Sequence, residues 1–176
     1  YQRNQVWTSE VRLWQEATIH SPDSAPAWYG LGDAHRFAKQ FEPALAAYST
    51  CTRLDKEYLD CWNNFGITYA EMGNSNKAID TWEQVLRIKP TYCKAHTNLG
   101  FLAYQQERWE DAITEFRSTI VNCPNNIIAH YGLGLIYHRP RFDKEKATYH
   151  LDRVLQINPT FDYASDARKK LLELTW

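Results

Sequence analysis

The feature that most constrains this sequence is a period of 34 residues, which several positions follow independently. Glycine recurs at Gly32, Gly66, Gly100 and Gly134, at equal steps of 34. Three further positions recur with the same period, which lengthens to 35 at the last step. The alanines are Ala44, Ala78, Ala112 and Ala147, and the bulky apolar residues are Tyr48, Trp82, Phe116 and Leu151. The prolines are Pro22, Pro90, Pro124 and Pro159, and Lys56 stands where one proline is absent. Such a period predicts a stack of similar units, each of which buries the apolar face of its neighbours.

Each unit contains two amphipathic helical segments joined by a polar turn. In one unit, the first segment surrounds Gly66, the turn covers residues 72–76, and the second segment runs from Lys77 to Leu86. A proline such as Pro90 ends the second segment, because proline lacks an N–H group and disfavours helical geometry in the residue before it. Glycine inside a helix costs about 1 kcal/mol. Its recurrence indicates that the two helices of each hairpin approach too closely for a β-carbon.

These positions resemble those of the tetratricopeptide repeat (TPR) family. The fullest match is Trp62-x-x-Phe65-Gly66-x-x-Tyr69, followed by Ala78, Trp82 and Pro90. The resemblance covers about residues 7–161 and implies an all-α fold, a right-handed superhelix of about ten antiparallel-packed helices. It divides a single TPR domain, residues 1–176, into a half repeat (7–24), four full repeats (25–58, 59–92, 93–126 and 127–161) and a capping helix (162–176).

Composition and motifs argue against several other classes of function. The net charge of −1 argues against nucleic-acid binding, which needs a basic surface. No run of about 18 apolar residues is present that would insert this segment directly into a membrane. His96 and His130 occupy the position that Trp28 and Trp62 fill in other repeats, so packing explains them better than metal binding or catalysis. Without a metal, phosphate or nucleophile motif, we expect no cofactor, no metal and no enzymatic activity in this segment.

The four cysteines fall near the ends of predicted helices. Cys93 begins a first helix and Cys123 ends the second helix of the same hairpin. Cys51 lies late in a second helix and Cys61 early in the next first helix, so both pairs gather at one edge of the hairpins and two disulfides are conceivable. Helix axes about 8–10 Å apart often leave α-carbons beyond the limit of about 7 Å, however. We therefore favour reduced, buried thiols that act as small apolar side chains.

The TPR resemblance implies that the first helix of each repeat lines a concave groove. Asn64 and Asn98 lie two residues before the recurring glycine, similar to the asparagine ladder of O-GlcNAc transferase-type TPR arrays, whose amides hold an extended peptide. A side-chain amide both donates and accepts hydrogen bonds, as a peptide unit requires. The alternative is that both asparagines only make contacts between helices. The other residues predicted to belong to the groove are Tyr29, Arg36, Lys94, Phe101, Tyr104 and Tyr131.

A second resemblance concerns the first residues. The segment from Arg3 to Pro22 looks like the junction after the last span of polytopic membrane proteins with TPR tails, such as the transmembrane O-mannosyltransferases. It implies a longer parent protein and an extracytoplasmic placement, with a cytoplasmic one as the alternative. We therefore predict a non-enzymatic interaction module that binds a peptide or partner protein in its groove. The alternative is a structural, oligomerisation or spacer domain of a membrane-bound glycosyltransferase-like protein, and a homo-oligomer is compatible with both.

Overall fold

Ten helices account for the fold of the residues that the structure describes. The structure, a computed structural model, describes residues 2–139 and 143–174, with side chains from Ser9 onward. The helices are α1 (Gln2–His20), α2 (Ala25–Phe37), α3 (Phe41–Leu54), α4 (Leu59–Glu71), α5 (Ser75–Ile88), α6 (Cys93–Gln105), α7 (Trp109–Asn122), α8 (Ile127–Tyr137), α9 (Lys144–Ile157) and α10 (Ala164–Leu174). No strand occurs among the described residues. The predicted all-α class and the number of helices are confirmed.

The second helix of each hairpin ends in the same way. The residue after it has a φ between −151° and −134°, far from helical geometry, at all four places: Asp55, Lys89, Cys123 and Asn158. Three of these residues precede a proline, which disfavours the helical conformation there. Asp55 precedes Lys56, and its helix still ends at the same point. The repeat therefore keeps its shape where the proline is missing.

The helices group into two compact units, Tyr1–Pro90 and Thr91–Trp176. In the first unit α1 packs on α2, while α2 with α3 and α4 with α5 form hairpins. In the second unit α6 with α7 and α8 with α9 form hairpins, and α10 packs on α9. The sequence-based boundaries of the repeats stay a prediction.

The recurring glycine lies where the two helices of a hairpin meet. A β-carbon on Gly66 would lie 2.5 Å from Nε1 of Trp82, and one on Gly100 would lie 2.8 Å from the ring of Phe116. The same contact joins the glycine to the bulky apolar residue in the other two hairpins: Gly32 with Tyr48, and Gly134 with Leu151. Real β-carbons essentially never approach other heavy atoms within 3.0 Å. The recurring glycine and the recurring bulky apolar residue thus pack directly against each other, which agrees with the close helix approach predicted from the sequence.

A hydrogen bond recurs between each of three first helices and the segment before it. Nε1 of Trp62 donates to the carbonyl of Lys56 at 3.0 Å, and Nε1 of Trp28 makes the same bond six residues back at 2.7 Å. Nε2 of His130 lies 3.0 Å from the carbonyl of Pro124 and replaces the indole N–H. His130 therefore takes over both the packing position and the hydrogen bond of a tryptophan.

The expectation of free thiols is wrong, because the structure pairs all four cysteines. Cys51 is joined to Cys61 and Cys93 to Cys123, with Cα–Cα distances of 6.6 and 6.3 Å. The distance between two helix axes does not by itself set the distance between α-carbons on the two helices. An α-carbon lies about 2.3 Å from its own axis, so two that face each other are several ångströms closer than the axes are. Both pairs consequently fall inside the limit of about 7 Å.

Candidate functional site

In the first unit, Asn64 lies in a hydrogen-bonded cluster between α2 and α4. Its Nδ2 donates to Oδ1 of Asp33 at 2.8 Å and to the hydroxyl of Tyr29 at 3.1 Å, while its Oδ1 accepts from Nδ2 of Asn63 at 3.1 Å. Tyr48 of α3 donates its hydroxyl to the same oxygen of Asp33. An amide nitrogen carries two hydrogens. Both hydrogens of Asn64 are therefore used inside the protein.

Burial favours the protonated form of the two phenols in this cluster. Burial, and then the charge of Asp33, raises the pKa of Tyr48 well above its ordinary value. The same two causes raise the pKa of Tyr29. Both phenols therefore stay neutral at physiological pH, and Tyr48 remains a donor to the carboxylate. The cluster joins α2, α3 and α4 by polar contacts that complement the glycine contacts.

Arg36 is also bound to partners within the first unit. Its Nη1 donates to Oε1 of Glu71 at 3.1 Å, and its Nε lies 3.9 Å from Oδ1 of Asp33. The guanidinium carbon lies 4.4 Å from the centre of the Phe37 ring. Only 12% of the side chain is exposed, and Nε is buried without a hydrogen-bond partner. Arg36 thus connects α2 to α4 and presents little of its charge to a ligand.

In the second unit, Tyr131 makes a comparable contact. Its hydroxyl donates to Oδ2 of Asp166 on α10 at 2.7 Å, and its ring stacks on Tyr163 with the centroids 5.2 Å apart. Burial, and then the hydrogen bond to Asp166, raises the pKa of Tyr131. The pairs Tyr29–Asn64 and Tyr131–Asp166 share a spacing of 35 residues. In both units, a tyrosine of one first helix binds a polar side chain 35 residues later.

Three predicted residues come together on α6. Lys94, Asn98 and Phe101 are spaced by four and three residues and so share one helix face, which we call the α6 stripe. Lys94 is exposed, Asn98 is half-buried, and the Phe101 side chain is 49% exposed. Tyr104, one turn further on, meets the ring of Trp109 edge-on, with the centroids 5.4 Å apart. The α6 stripe is thus a surface feature, whereas Tyr104 packs against a ring of α7.

Comparison with known proteins identifies the family. A family model described as TPR repeat matches residues 68–107 and 102–139, and a second one described as tetratricopeptide repeat matches residues 25–58. The chain belongs to the tetratricopeptide repeat family. TPR repeats serve as non-catalytic scaffolds for protein–protein interaction, and the resemblance inferred from the periodic positions is confirmed.

Relatives of this TPR chain are distant and much longer. A cell division cycle protein 27 homologue of Caenorhabditis elegans is 28% identical over 78% of the chain, and human protein O-mannosyl-transferase TMTC3 is 25% identical over 71%. The chain spans only 16% and 15% of the length of these two relatives. The solved structure of YrrB, "a TPR protein with an unusual peptide-binding site", is similar with a TM-score of 0.67 at 19% identity, over 94% of this chain and 84% of that one. At that identity, the likeness shows the fold alone.

The described part of the TPR chain contains neither a metal-binding cluster nor a membrane-spanning helix. Within residues 2–139 and 143–174, no group of three metal-ligating side chains could hold an ion. None of the described helices combines the length and the apolar character needed to span a membrane.

Sequence reasoning missed the acidic partners of the predicted groove residues. Asp33, Glu71 and Asp166 accept hydrogen bonds from Asn64, Arg36 and Tyr131, respectively. Their only signal in the sequence is the recurring separation of 31–35 residues between an acid and a donor. That separation is close to the repeat period, so it could not be told from coincidence.

Proposed function

We propose that this TPR chain binds an extended segment of a partner protein and that the α6 stripe (Lys94, Asn98 and Phe101) is the main contact. The observation that carries the proposal is the half-exposed ring of Phe101 on a first helix, beside an amide and an ammonium group. Aromatic side chains in such polar surroundings carry much of the energy at protein interfaces. An apolar side chain of the partner would cover the exposed half of the Phe101 ring.

The predicted residues of the first unit have a different role in this proposal. Asn64 has used both amide hydrogens, and Arg36 is neutralised by two carboxylates. We therefore expect Tyr29, Arg36 and Asn64 to shape the surface rather than to donate hydrogen bonds to a ligand. Tyr131 and Tyr104 support the second unit in the same way, through the contacts of their rings.

The test compares Phe101 with Val121, an exposed apolar residue on α7 that serves as the control. A library of random unstructured peptides is selected against the chain, and the affinities of the peptides obtained are measured for Phe101→Ser and Val121→Ser. Burying a whole phenylalanine side chain contributes about 1.5–3 kcal/mol, and about half of this one is available, so Phe101→Ser should weaken binding about three- to tenfold. Val121→Ser should leave the affinity unchanged. Peptides that lose affinity for the Val121 variant alone would place the interface on the second helices.

The second candidate function is that of a structural or spacer domain attached to a membrane glycosyltransferase-like protein. The similarity to the human O-mannosyl-transferase over 71% of the chain favours it. The pairing of all four cysteines supports an extracytoplasmic placement, because disulfides persist in oxidising compartments. Light scattering tests this function: a stable oligomer that survives Phe101→Ser, together with no selected peptide, would favour the spacer.

A further inference from the structure

A surface cavity of about 680 Å³ lies in the first unit, where the end of α3, the start of α4 and the end of α5 meet. Its apolar walls are Trp62, Phe65 and Ile88. The rings of Trp62 and Phe65 lie 6.2 Å apart between centroids, and the bond from Nε1 of Trp62 to the carbonyl of Lys56 holds the indole in place. Ile88 is 37% exposed. The volume lies within the range of about 300–1,000 Å³ that is typical of ligand sites.

Two cations line the same cavity. Arg53 and Lys56 contribute to its wall, and Glu57 is the one acidic residue there. Within the described part of the chain, neither cationic side chain has a hydrogen-bond or ion-pair partner. Arg36, Arg108 and Lys146, by contrast, are each paired with a carboxylate. The cavity therefore combines an aromatic wall with two cationic side chains that form no ion pair within the described residues.

The second unit provides an internal comparison. Its equivalent cavity, of about 400 Å³, has Pro124 and His130 at the positions of Lys56 and Trp62. Its arginine, Arg153, donates to Asn125 at 2.8 Å and to Gln156 at 3.0 Å. The free cations and the indole thus belong to the first unit. Lys56 is also the residue that departs from the proline of the repeat.

We propose that the cavity of the first unit binds an acidic segment of a partner protein. The segment inserts an aromatic side chain between Trp62 and Ile88 and brings carboxylates to Arg53 and Lys56. Charge complementarity selects this occupant, because a neutral apolar segment would leave the two cations unused and a basic one would be repelled. The site shares no residue with the α6 stripe and is independent of the function proposed for it.

The experiment uses a short fluorescein-labelled peptide with one phenylalanine flanked by aspartate and glutamate on both sides. Binding to the whole chain is followed by fluorescence anisotropy at low ionic strength, where exposed charges interact most strongly. The double variant Arg53→Glu, Lys56→Glu should weaken binding at least tenfold. A peptide with serine in place of phenylalanine should bind about three- to tenfold more weakly to the unchanged chain, since the apolar walls then have no partner.

The matched control is the double variant Arg12→Glu, Lys77→Glu, which changes the net charge by the same amount outside the cavity. It should bind the phenylalanine peptide within a factor of about two of the unchanged chain, as should Phe101→Ser. Equal losses in both double variants would overturn the proposal, because the peptide would then sense only the net charge. Equal binding of the serine and phenylalanine peptides, or no binding of either, would also overturn it. Circular dichroism of each variant verifies that the helices are intact.

Discussion

Two buried histidines in the second unit predict a loss of stability below neutral pH. His130 of α8 and His150 of α9 have their Nδ1 atoms 2.9 Å apart. Nε2 of His130 bonds to the carbonyl of Pro124, which can only accept, so this nitrogen carries the hydrogen and Nδ1 of a neutral His130 must accept from His150. A proton on Nδ1 of His130 would reverse the bond and require an unprotonated Nδ1 on a neutral His150, and with both rings charged neither Nδ1 could accept. The arrangement therefore requires at least one neutral histidine ring, and burial favours the neutral form of both.

The magnitude follows from the shifted pKa values. Burial, then the nearby His130 and Arg117, lowers the pKa of His150 to about 4. Burial lowers the pKa of His130 as well, and Arg153 acts in the same direction. Because the unfolded chain binds these protons near pH 6.5 and the folded chain only at lower pH, the stabilisation is complete above about pH 6.5 and is lost as the pH falls toward 4. For His150 alone, a difference of about 2.5 units at 1.36 kcal/mol per unit amounts to about 3 kcal/mol.

Urea denaturation at pH 7.5 and at pH 4.5 measures this loss, with His150→Phe as the matched variant. Phenylalanine keeps a ring against Tyr137, whose ring is stacked on His150 with the centroids 5.9 Å apart, but it does not titrate. The variant is less stable at both pH values because His130 loses its donor, so only the change with pH is compared. The unchanged chain should lose about 2–3 kcal/mol more than the variant between the two pH values. An equal loss in both would show that carboxylates elsewhere, and not this pair, cause the acid sensitivity.

Three further predictions concern stability. Gly66→Ala should lower the free energy of unfolding by about 1–3 kcal/mol in urea denaturation, because its β-carbon would lie 2.5 Å from Nε1 of Trp82; an unchanged midpoint would contradict the close contact. Asn64→Ala should lower the free energy of unfolding by about 1–3 kcal/mol, because the bonds to Asp33 and Tyr29 are lost. An unchanged melting temperature would indicate that the Asn64 amide is available to a ligand. Titration of the unfolded, unreduced chain should find no free thiol. Reduction should lower the free energy of unfolding by about 3 kcal/mol for Cys51–Cys61, which closes 10 residues, and by about 4 kcal/mol for Cys93–Cys123, which closes 30. Four titrated thiols would show instead that the cysteines are reduced.

The sequence predicted those parts of the fold that depend on contacts within one hairpin. Gly66 and Trp82 are 16 residues apart, and the equivalent contact recurs in every hairpin. Because four hairpins share this packing contact, both of its residues recur periodically in the sequence. The pairing of Cys93 with Cys123 has no such repetition. It depends on a few ångströms at the ends of two helices, which the spacing of helix axes does not determine.

The faces of the candidate groove residues were predictable, but their hydrogen-bond partners were not. Helical spacing places Asn64 and Asn98 on equivalent faces of α4 and α6. Whether such an amide meets a ligand or a neighbouring side chain depends on what the preceding first helix carries opposite to it. For Asn64 those residues are Tyr29 and Asp33, which lie 35 and 31 residues earlier. A residue without an acceptor at position 33 would leave one of the two amide hydrogens of Asn64 available to a peptide.

The energies of these bonds decide where a partner can be held. A peptide that took a hydrogen from the Asn64 amide would gain a neutral hydrogen bond, worth about 0.5–1.5 kcal/mol net. It would first have to displace one of two acceptors. The bond to the Asp33 carboxylate, as one to a charged group, contributes about 1.5–3 kcal/mol, and the neutral bond to the Tyr29 hydroxyl is worth about as much as the new one. The exchange is therefore unfavourable at the Asp33 bond and at best neutral at the Tyr29 bond, so the amide hydrogens of Asn64 give a ligand no net gain. In the function proposed above, the partner's affinity would then come mainly from apolar contact with the exposed half of Phe101 in the α6 stripe.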